Sequence, residues 1–358
     1  MDEIKKLVEQ SKKNTKEIQK KYQIALVCNS RSKTRPINHQ QVEFSDNNEF
    51  FSDEEYDEIF SAIQSSNFYV DTYFNELTFI TKTLEESYFR NNKLVYNLSR
   101  NGSHVGKKSL IPSFCDLMGI PYTGSNAFVT SLCRAKYTYT KYLEAHNIAT
   151  PKTWIYFGEE KWLNQEPPAL ETKVIIKPMH ESASIGLDTN SVFVFDEAML
   201  AMLEELYLSK KEPILLQKFI EGYECEIPLF ISDKVYAMEP VGISINGKRK
   251  LNYDFLTYTH SYENNYGFYS LADELSASKI ALVKEYALQI GKLTNLTNYG
   301  RIDFRITDNG DPYLIDIATS PYTIKHSSFA YSFNKLQLAY EDIYPTIINL
   351  AYQTFKPK

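Results

Sequence analysis

Between residues 299 and 328 the chain alternates charge with hydrocarbon. Arg301, Asp303 and Arg305 interleave with Ile302, Phe304 and Ile306, so an extended strand would carry charged side chains on one face and apolar ones on the other. Asp308, Asn309 and Gly310 read as a turn, and residues 312–317 as a returning strand with Asp316 between two isoleucines. Upstream, residues 1–22 set Ile4, Leu7 and Val8 at helical spacing among acids and lysines, a charged helix expected to pack loosely or cap a surface. Residues 22–28 form a compact apolar run that reads as a buried first strand. Residues 55–65 read as helix, and 68–74 and 94–98 as strands, an alternation that predicts an open parallel sheet.

The pattern continues with a helix over 110–118 closed by Gly119, then one helix over 131–146 carrying Arg134, Lys136 and Lys141. Strands follow at 174–178, 214–220 and 224–231, with a hairpin tip at 246–250. Residues 251–268, rich in Tyr, Asn, Thr and His, show no period and read as a long loop of the kind used as a lid. An amphipathic helix is expected over 276–294.

At 358 residues the chain suits two or three domains, and 43% hydrophobic with 14% aromatic content can fill their cores. A net charge of -6 and a pI near 5.7 argue against duplex nucleic acid as a partner and favour small molecules. Cys28, Cys115, Cys133 and Cys225 are widely spaced without a CxxC pair, as expected of reduced, core-filling thiols in a cytoplasmic protein. No apolar run approaches the ~20 residues that span a bilayer, so no membrane partner is expected.

Two stretches offer chemistry. Asp303 and Asp316 stand on the two arms of the expected hairpin, and a hard divalent cation, magnesium first, would suit both; the alternative is that Arg301 and Arg305 simply pair with them in a salt-bridged sheet. Lys177 ends a strand before a run of small residues, 180–186, where backbone N–H groups could approach phosphates; an ordinary turn is the plainer reading.

In their order along the chain, 117–125 (LMGIPYTGS), the Lys136 helix, 175–178 (IIKP) with the 181–186 loop, 219–222 (FIEG) with Glu224, 300–304 (GRIDF), and Pro321 with His326-Ser327 resemble the D-alanine:D-alanine ligase family of the ATP-grasp superfamily. The resemblance covers roughly residues 94–330 and implies an α/β, three-domain ATP-grasp fold. Its parts would be an N-terminal charged helix (1–22), an N-terminal open parallel α/β sheet domain (23–124), a central α+β subdomain (125–216) and a C-terminal α+β subdomain with the metal site (217–358). It also implies ATP and Mg2+, with an acyl-phosphate route in which a carboxylate takes the γ-phosphate and an amine displaces it. By motif position Lys136 and Lys177 would hold the phosphates, and Glu181, Ser182, Ala183 and Ser184 would cover them. Gln217, Lys218 and Ile220 would meet adenine, Glu224 the ribose, Asp303 and Asp316 magnesium, and Arg301 the developing oxyanion.

Departures from the family's pattern bear on the substrate. Ala318 stands where an amide ligand is expected, the acid on the first strand that grips the first D-alanine is absent, the loop serine is Ala183, and the lid reads Tyr258-Thr259. Lys107 and Lys108 replace acids, and Tyr322 a glycine. The expectation is therefore a carboxylate-amine ligase forming an amide, with a first substrate other than D-alanine that presents a carboxylate or phosphate to Lys107, Lys108 or Arg31. The alternative for the two lysines is a solvated surface. Tyr253, Tyr322, His326 and Ser327 complete the expected substrate set. Other readings are a true D-alanine:D-alanine or depsipeptide ligase, or an ATP-binding relative without free turnover or acting on a carrier protein. A homodimer would be in keeping with the family.

Overall fold

The computed structural model describes residues 2–35, 49–85, 92–101, 106–163, 166–177, 179, 180, 191–257, 259, 260, 263 and 265–356. Three sheets organise them. Strands β1 (Gln23–Cys28), β2 (Val70–Tyr73) and β3 (Lys93–Leu98) pair in parallel in the order β2-β1-β3, the open parallel sheet expected of their alternation with helices α2 (Asp53–Ser65) and α3 (Glu76–Glu85). Helix α2 starts at a reciprocal cap: the Ser52 hydroxyl accepts from the Glu55 N–H, and the Glu55 carboxylate accepts from the Ser52 N–H. Helix α4 (Leu110–Met118) ends at Gly119, whose φ of 67° is the left-handed conformation that glycine adopts without steric cost.

The second sheet, in the order β4-β7-β5-β6, is antiparallel and comprises β4 (Thr153–Tyr156), β5 (Lys173–Lys177), β6 (Val192–Val194) and β7 (Ile214–Lys218). Helix α7 (Glu197–Lys210) packs on it over a core that includes Trp154, Tyr156 and Leu203. The third sheet runs β11-β10-β8-β12-β13, with β9 (Val235–Ala237) also paired to β8 (Tyr223–Ile231). Its other members are β10 (Val241–Ile245), β11 (Tyr266–Ser270), β12 (Asn298–Ile306) and β13 (Pro312–Ala318), all antiparallel. Alternation decides its faces: Cys225, Ile227, Ile302, Phe304, Leu314 and Ile317 turn into a core against helix α8 (Ala277–Leu293), which leaves the charged residues of β8, β12 and β13 on the other side.

Three expectations are corrected. The amino-terminal helix α1 (Asp2–Lys21) does not pack loosely: Ile4, Val8 and Ile18 are buried against the carboxy-terminal helix α10 (Ile343–Phe355) in the largest core, because the stripe continues beyond Val8 to Ser11, Thr15 and Ile18. The helix expected over 131–146 is two, α5 (Ala127–Arg134) and α6 (Lys136–Glu144). Asn126 caps the first early, and Ala135 breaks the run at φ -83°, ψ 76°, so that the Lys136 N–H bonds the Met179 carbonyl. The loop expected over 251–268 gives its last residues to β11, where Tyr266 and Phe268 alternate with Gly267 against β10. Tyr258 lies outside the described residues. Among the described residues no helix is long and apolar enough to cross a membrane.

Candidate active site

The charged face of the third sheet holds the site. In the ladder Asp303 is opposite Asp316 on one side and Glu226 on the other, and Arg305 is opposite Glu224. Three carboxylates therefore sit in one row on three neighbouring strands. Arg301 lies beside them: its Nε and Nη2 donate to Asp303 Oδ1 and Oδ2, both at 2.8 Å, and its Nη1 is 3.1 Å from Glu226 Oε1. Arg305 donates to Glu224 at 3.2 Å, to the Ile220 carbonyl at 2.8 Å and to the carbonyls of Asn252 and Asp254. Of the alternative salt-bridged sheet, the Arg301–Asp303 pair is present, whereas Arg305 pairs with Glu224 instead of Asp316.

More negative charge is buried here than one guanidinium balances. Burial pushes the Asp303 carboxyl up to about 7, with Glu226 and Asp316 adding to the rise and Arg301 opposing it. A divalent cation would relieve this, and two facing carboxylates supply the hard oxygens it takes. Among the described residues no group of three or more His, Cys, Asp and Glu is placed to hold an ion alone. Mg2+ keeps several waters and shares substrate phosphate oxygens, so two protein carboxylates are enough to hold it.

The central sheet brings the lysines to the same place. Lys177 ends β5, and burial together with the nearby Lys136 charge lowers it to about 8, while Asp316 and Glu224 pull the other way. Gln217 is buried on β7, where its amide donates to the Thr153 hydroxyl at 3.2 Å; Lys218 is exposed, and Ile220 is buried beside the Arg305 bond. Glu181, Ser182, Ala183 and Ser184 lie outside the described residues.

The expected substrate residues separate. Tyr253 is exposed, with the Lys173 ammonium 3.2 Å above its ring. The Ser327 hydroxyl caps helix α9 (Ser328–Lys335), accepting from the Ala330 N–H and donating to the Ile324 carbonyl. Ser327 also lines a groove of about 400 Å³ with Phe268, Lys325 and Tyr331. His326 stands edge-on to Tyr266, ring centres 4.7 Å apart. Lys107 and Lys108 are not solvated surface lysines: both are buried and converge on Glu49, at 3.3 and 2.7 Å, with Arg134 at 3.8 Å. Burial alone would raise Glu49, but the three cations hold its carboxyl well below the usual range. The Arg31 side chain donates to the Phe50 carbonyl at 3.3 Å.

Four residues missed in the sequence complete this region. Arg100 lies between the rings of Phe51 and Tyr322, at 4.2 and 4.8 Å, and donates to the Glu49 and Ser320 carbonyls. Glu49 and Tyr266 had no local signal. Glu226 did have one, since Glu224-Cys225-Glu226 in a strand puts both acids on one face.

A family model described as the D-ala D-ala ligase C-terminus matches residues 146–349, more than half of the chain. The chain belongs to the D-alanine–D-alanine ligase family. Against D-alanine–D-alanine ligase B of Clostridium perfringens (strain 13 / Type A) this ligase is 29% identical over 244 residues, 68% of its length and 76% of the relative's. With the Nitrosospira multiformis enzyme it shares 26% over 247 residues, 69% and 76% of the two chains. Its fold matches the crystal structure of the Bacillus anthracis D-alanine–D-alanine ligase complexed with ATP, with a TM-score of 0.67 over 94% of this chain and 99% of that one at 19% identity. The VanG D-Ala:D-Ser ligase of Enterococcus faecalis follows at a TM-score of 0.62 over 92% and 99%, at 16% identity. The three sheets are those of an ATP-grasp enzyme, and the chain is an ATP-dependent carboxylate-amine ligase of the D-alanine–D-alanine ligase type.

Proposed function

We propose that this ligase joins a carboxylate other than D-alanine to an amine, with Lys136 and Lys177 on the ATP phosphates, Glu224 on the ribose, and Gln217, Lys218 and Ile220 at the adenine. The observation that carries the assignment of roles is the opposition of Asp303 and Asp316 beside Arg301, with Lys177 near enough for Asp316 to act on its proton equilibrium. Mg2+ held by the two aspartates would offset charge on the phosphoryl group as it moves.

A carboxylate oxygen of the first substrate attacks the γ-phosphorus, the bond to the bridging oxygen breaks, and ADP leaves with that electron pair. The amine then attacks the acyl carbon, and the carbonyl oxygen carries the charge until the C–O bond to phosphate breaks. In all, the substrate ammonium gives up two protons, one of which ends on the departing phosphate and one in solvent. In this reading Arg301, held beside Asp303 and Glu226, meets the transient oxyanion, a role worth about 3 kcal/mol in comparable sites.

Support for a first substrate other than D-alanine comes from the far end of the site. Where β1 ends, Asn29 is buried and bonded to Glu76 and to the Arg100 N–H. The acid beside it, Glu76, has both oxygens engaged within the protein, one by the Asn29 amide and the other by the Asn101 N–H. Glu49 is one carboxylate among Lys107, Arg134, Arg100 and Lys108, whose ammonium burial lowers to about 7; the basic groups of this cluster outnumber its acid, which suits a substrate bearing further negative charge. A second reading, ligation of D-alanine itself, is favoured by the names of the relatives, each a D-alanine–D-alanine ligase.

ADP release with Mg2+ and ATP, measured across single amino acids, amino-acid pairs and small di-acids, separates the two. An acid-amine pair other than D-alanine should stimulate release and yield a condensed product by mass spectrometry, and Asp303→Asn should cut the rate by about 100-fold or more. Stimulation by D-alanine alone would establish the second reading; nucleotide binding with no release under any mixture would defeat both.

A further inference from the structure

One buried carboxylate of the site has no part in the steps above. Glu226 is 5% exposed, and its Oε1 pairs with Arg301 Nη1 at 3.1 Å. Its other oxygen, Oε2, is fully buried and has no hydrogen-bond partner. Arg301 meets only the other oxygen, through Nη1, while its Nε and Nη2 bind Asp303. A buried carboxylate oxygen without a donor is costly, and such a group facing a reaction site is where a donor on a ligand fits.

The surroundings narrow the chemistry of that donor. Tyr266 and Phe268 on β11 face the same side of the sheet as Glu226, two strands away. Their rings and His326 form an aromatic wall, with centres 4.7 to 5.3 Å apart. His326 Nε2 is likewise buried without a partner. The Glu226 charge acts on Tyr266, and an anionic oxygen lacking donors on the sheet face that carries these rings is an environment for an ammonium group: the carboxylate accepts its N–H bonds, and the rings supply cation–π attraction. A hydroxyl would offer only one donor and no charge.

We propose that Glu226 is the receptor for the amine substrate, its free Oε2 accepting hydrogen bonds from the ammonium beside Arg301, with Tyr266, Phe268 and His326 as the wall. The site thereby selects a primary ammonium over a hydroxyl of equal size, and the enzyme makes amides in preference to esters. This rests on the ligase reading, and the amine so held is the second substrate.

Binding and turnover test it separately. The full-length protein loaded with Mg2+ and ADP is titrated with ethylammonium chloride and, in parallel, with ethanol, followed by saturation-transfer NMR. The wild type should bind ethylammonium at least about tenfold more tightly than ethanol, and Glu226→Gln should lose that preference. Equal affinity for the two probes in the wild type, or a preference that survives in E226Q, overturns the proposal. Should E226Q fail to fold, Glu226→Asp, which keeps the charge but sets it back, should bind ethylammonium more weakly than the wild type yet still above ethanol.

In turnover, hydroxylamine, mostly uncharged at neutral pH, competes with the cationic amine for the acyl phosphate. E226Q should raise the ratio of hydroxamate to amide by about tenfold or more, with the loss concentrated in KM for the amine. If both products fall in parallel, Glu226 only positions Arg301 and the proposal is wrong. Absence of ADP release in the wild type would count against the ligase reading, and the binding arm alone would then decide this one.

Discussion

Glu49 is the residue on which the positive end of the site depends. Lys107, Lys108 and Arg134 converge on it in a buried cluster, so replacing its charge leaves three cations facing one another without an anion. Removing one partner of a buried ionic group costs about 3 to 5 kcal/mol. Glu49→Gln should therefore lower stability by about 3 kcal/mol in urea unfolding at neutral pH; a loss below about 1 kcal/mol would mean that water reaches the cluster. The pH dependence follows from its depressed proton affinity. Between the folded and ordinary carboxyl values the unfolded chain binds the extra proton, so the ionised carboxylate stabilises the fold fully above about pH 4.5 and loses that contribution as acid protonates it. The gap between wild type and E49Q should shrink on acidification below about pH 4. Nothing local in the sequence marked Glu49, because its partners lie far along the chain and no period connects them. The positions of Asp303 and Asp316 on paired strands and of Lys177 at a strand end were legible, since spacing survives as strand register, whereas Glu224 came from the family resemblance.

At the scale of elements, the turn from β7 into β8 sets the nucleotide side of the site. Gly222 there has a φ of 127°, and a Cβ added to it would lie 2.0 Å from the Ile306 carbonyl oxygen. Its own carbonyl accepts from the Leu251 and Asn252 N–H groups, and the Asn252 carbonyl accepts from Arg305, which holds Glu224. Gly222→Ala should cost about 3 kcal/mol and raise KM for ATP, a combined effect that unfolding and initial-rate measurements check; an unchanged melting temperature would show that the strand ends slide freely. Strands with clean alternation were readable to within a residue or two, and so was the helix bounded by Ser276 and Thr294. The division at Ala135 was not, because alanine favours helix and the break is made by the distant Met179 carbonyl. Strand β11 was hidden by its glycine and short length, and with it the aromatic wall.

For the whole molecule, helix α1 shows how far the first residues reach. It lies in one core with β1, β3, helix α10 and Phe230 of the third sheet, so the amino-terminal sheet and the carboxy-terminal helices share their hydrocarbon. Val8 is fully buried there. Val8→Asp places an unpaired carboxylate in that core and should cost about 4 kcal/mol, lowering the midpoint of the main unfolding transition instead of adding a separate early one. A distinct minor transition with the rest unmoved would show that the helix is a detachable appendage. Chain length suited two or three domains and the family resemblance implied three, whereas this sharing of one core by both ends of the chain could be seen only in the fold.

The Arg100 stack extends that interdependence to specificity. One ring of the sandwich comes from Phe51, early in the chain, the other from Tyr322, and the guanidinium between them holds the Glu49 and Ser320 carbonyls together. The surface proposed to meet the acid is thus a composite of segments encoded far apart. A chimera that exchanged only the first hundred residues with another ligase would inherit half a sandwich, so new specificities in this scaffold have to arise through paired changes at both ends of the gene.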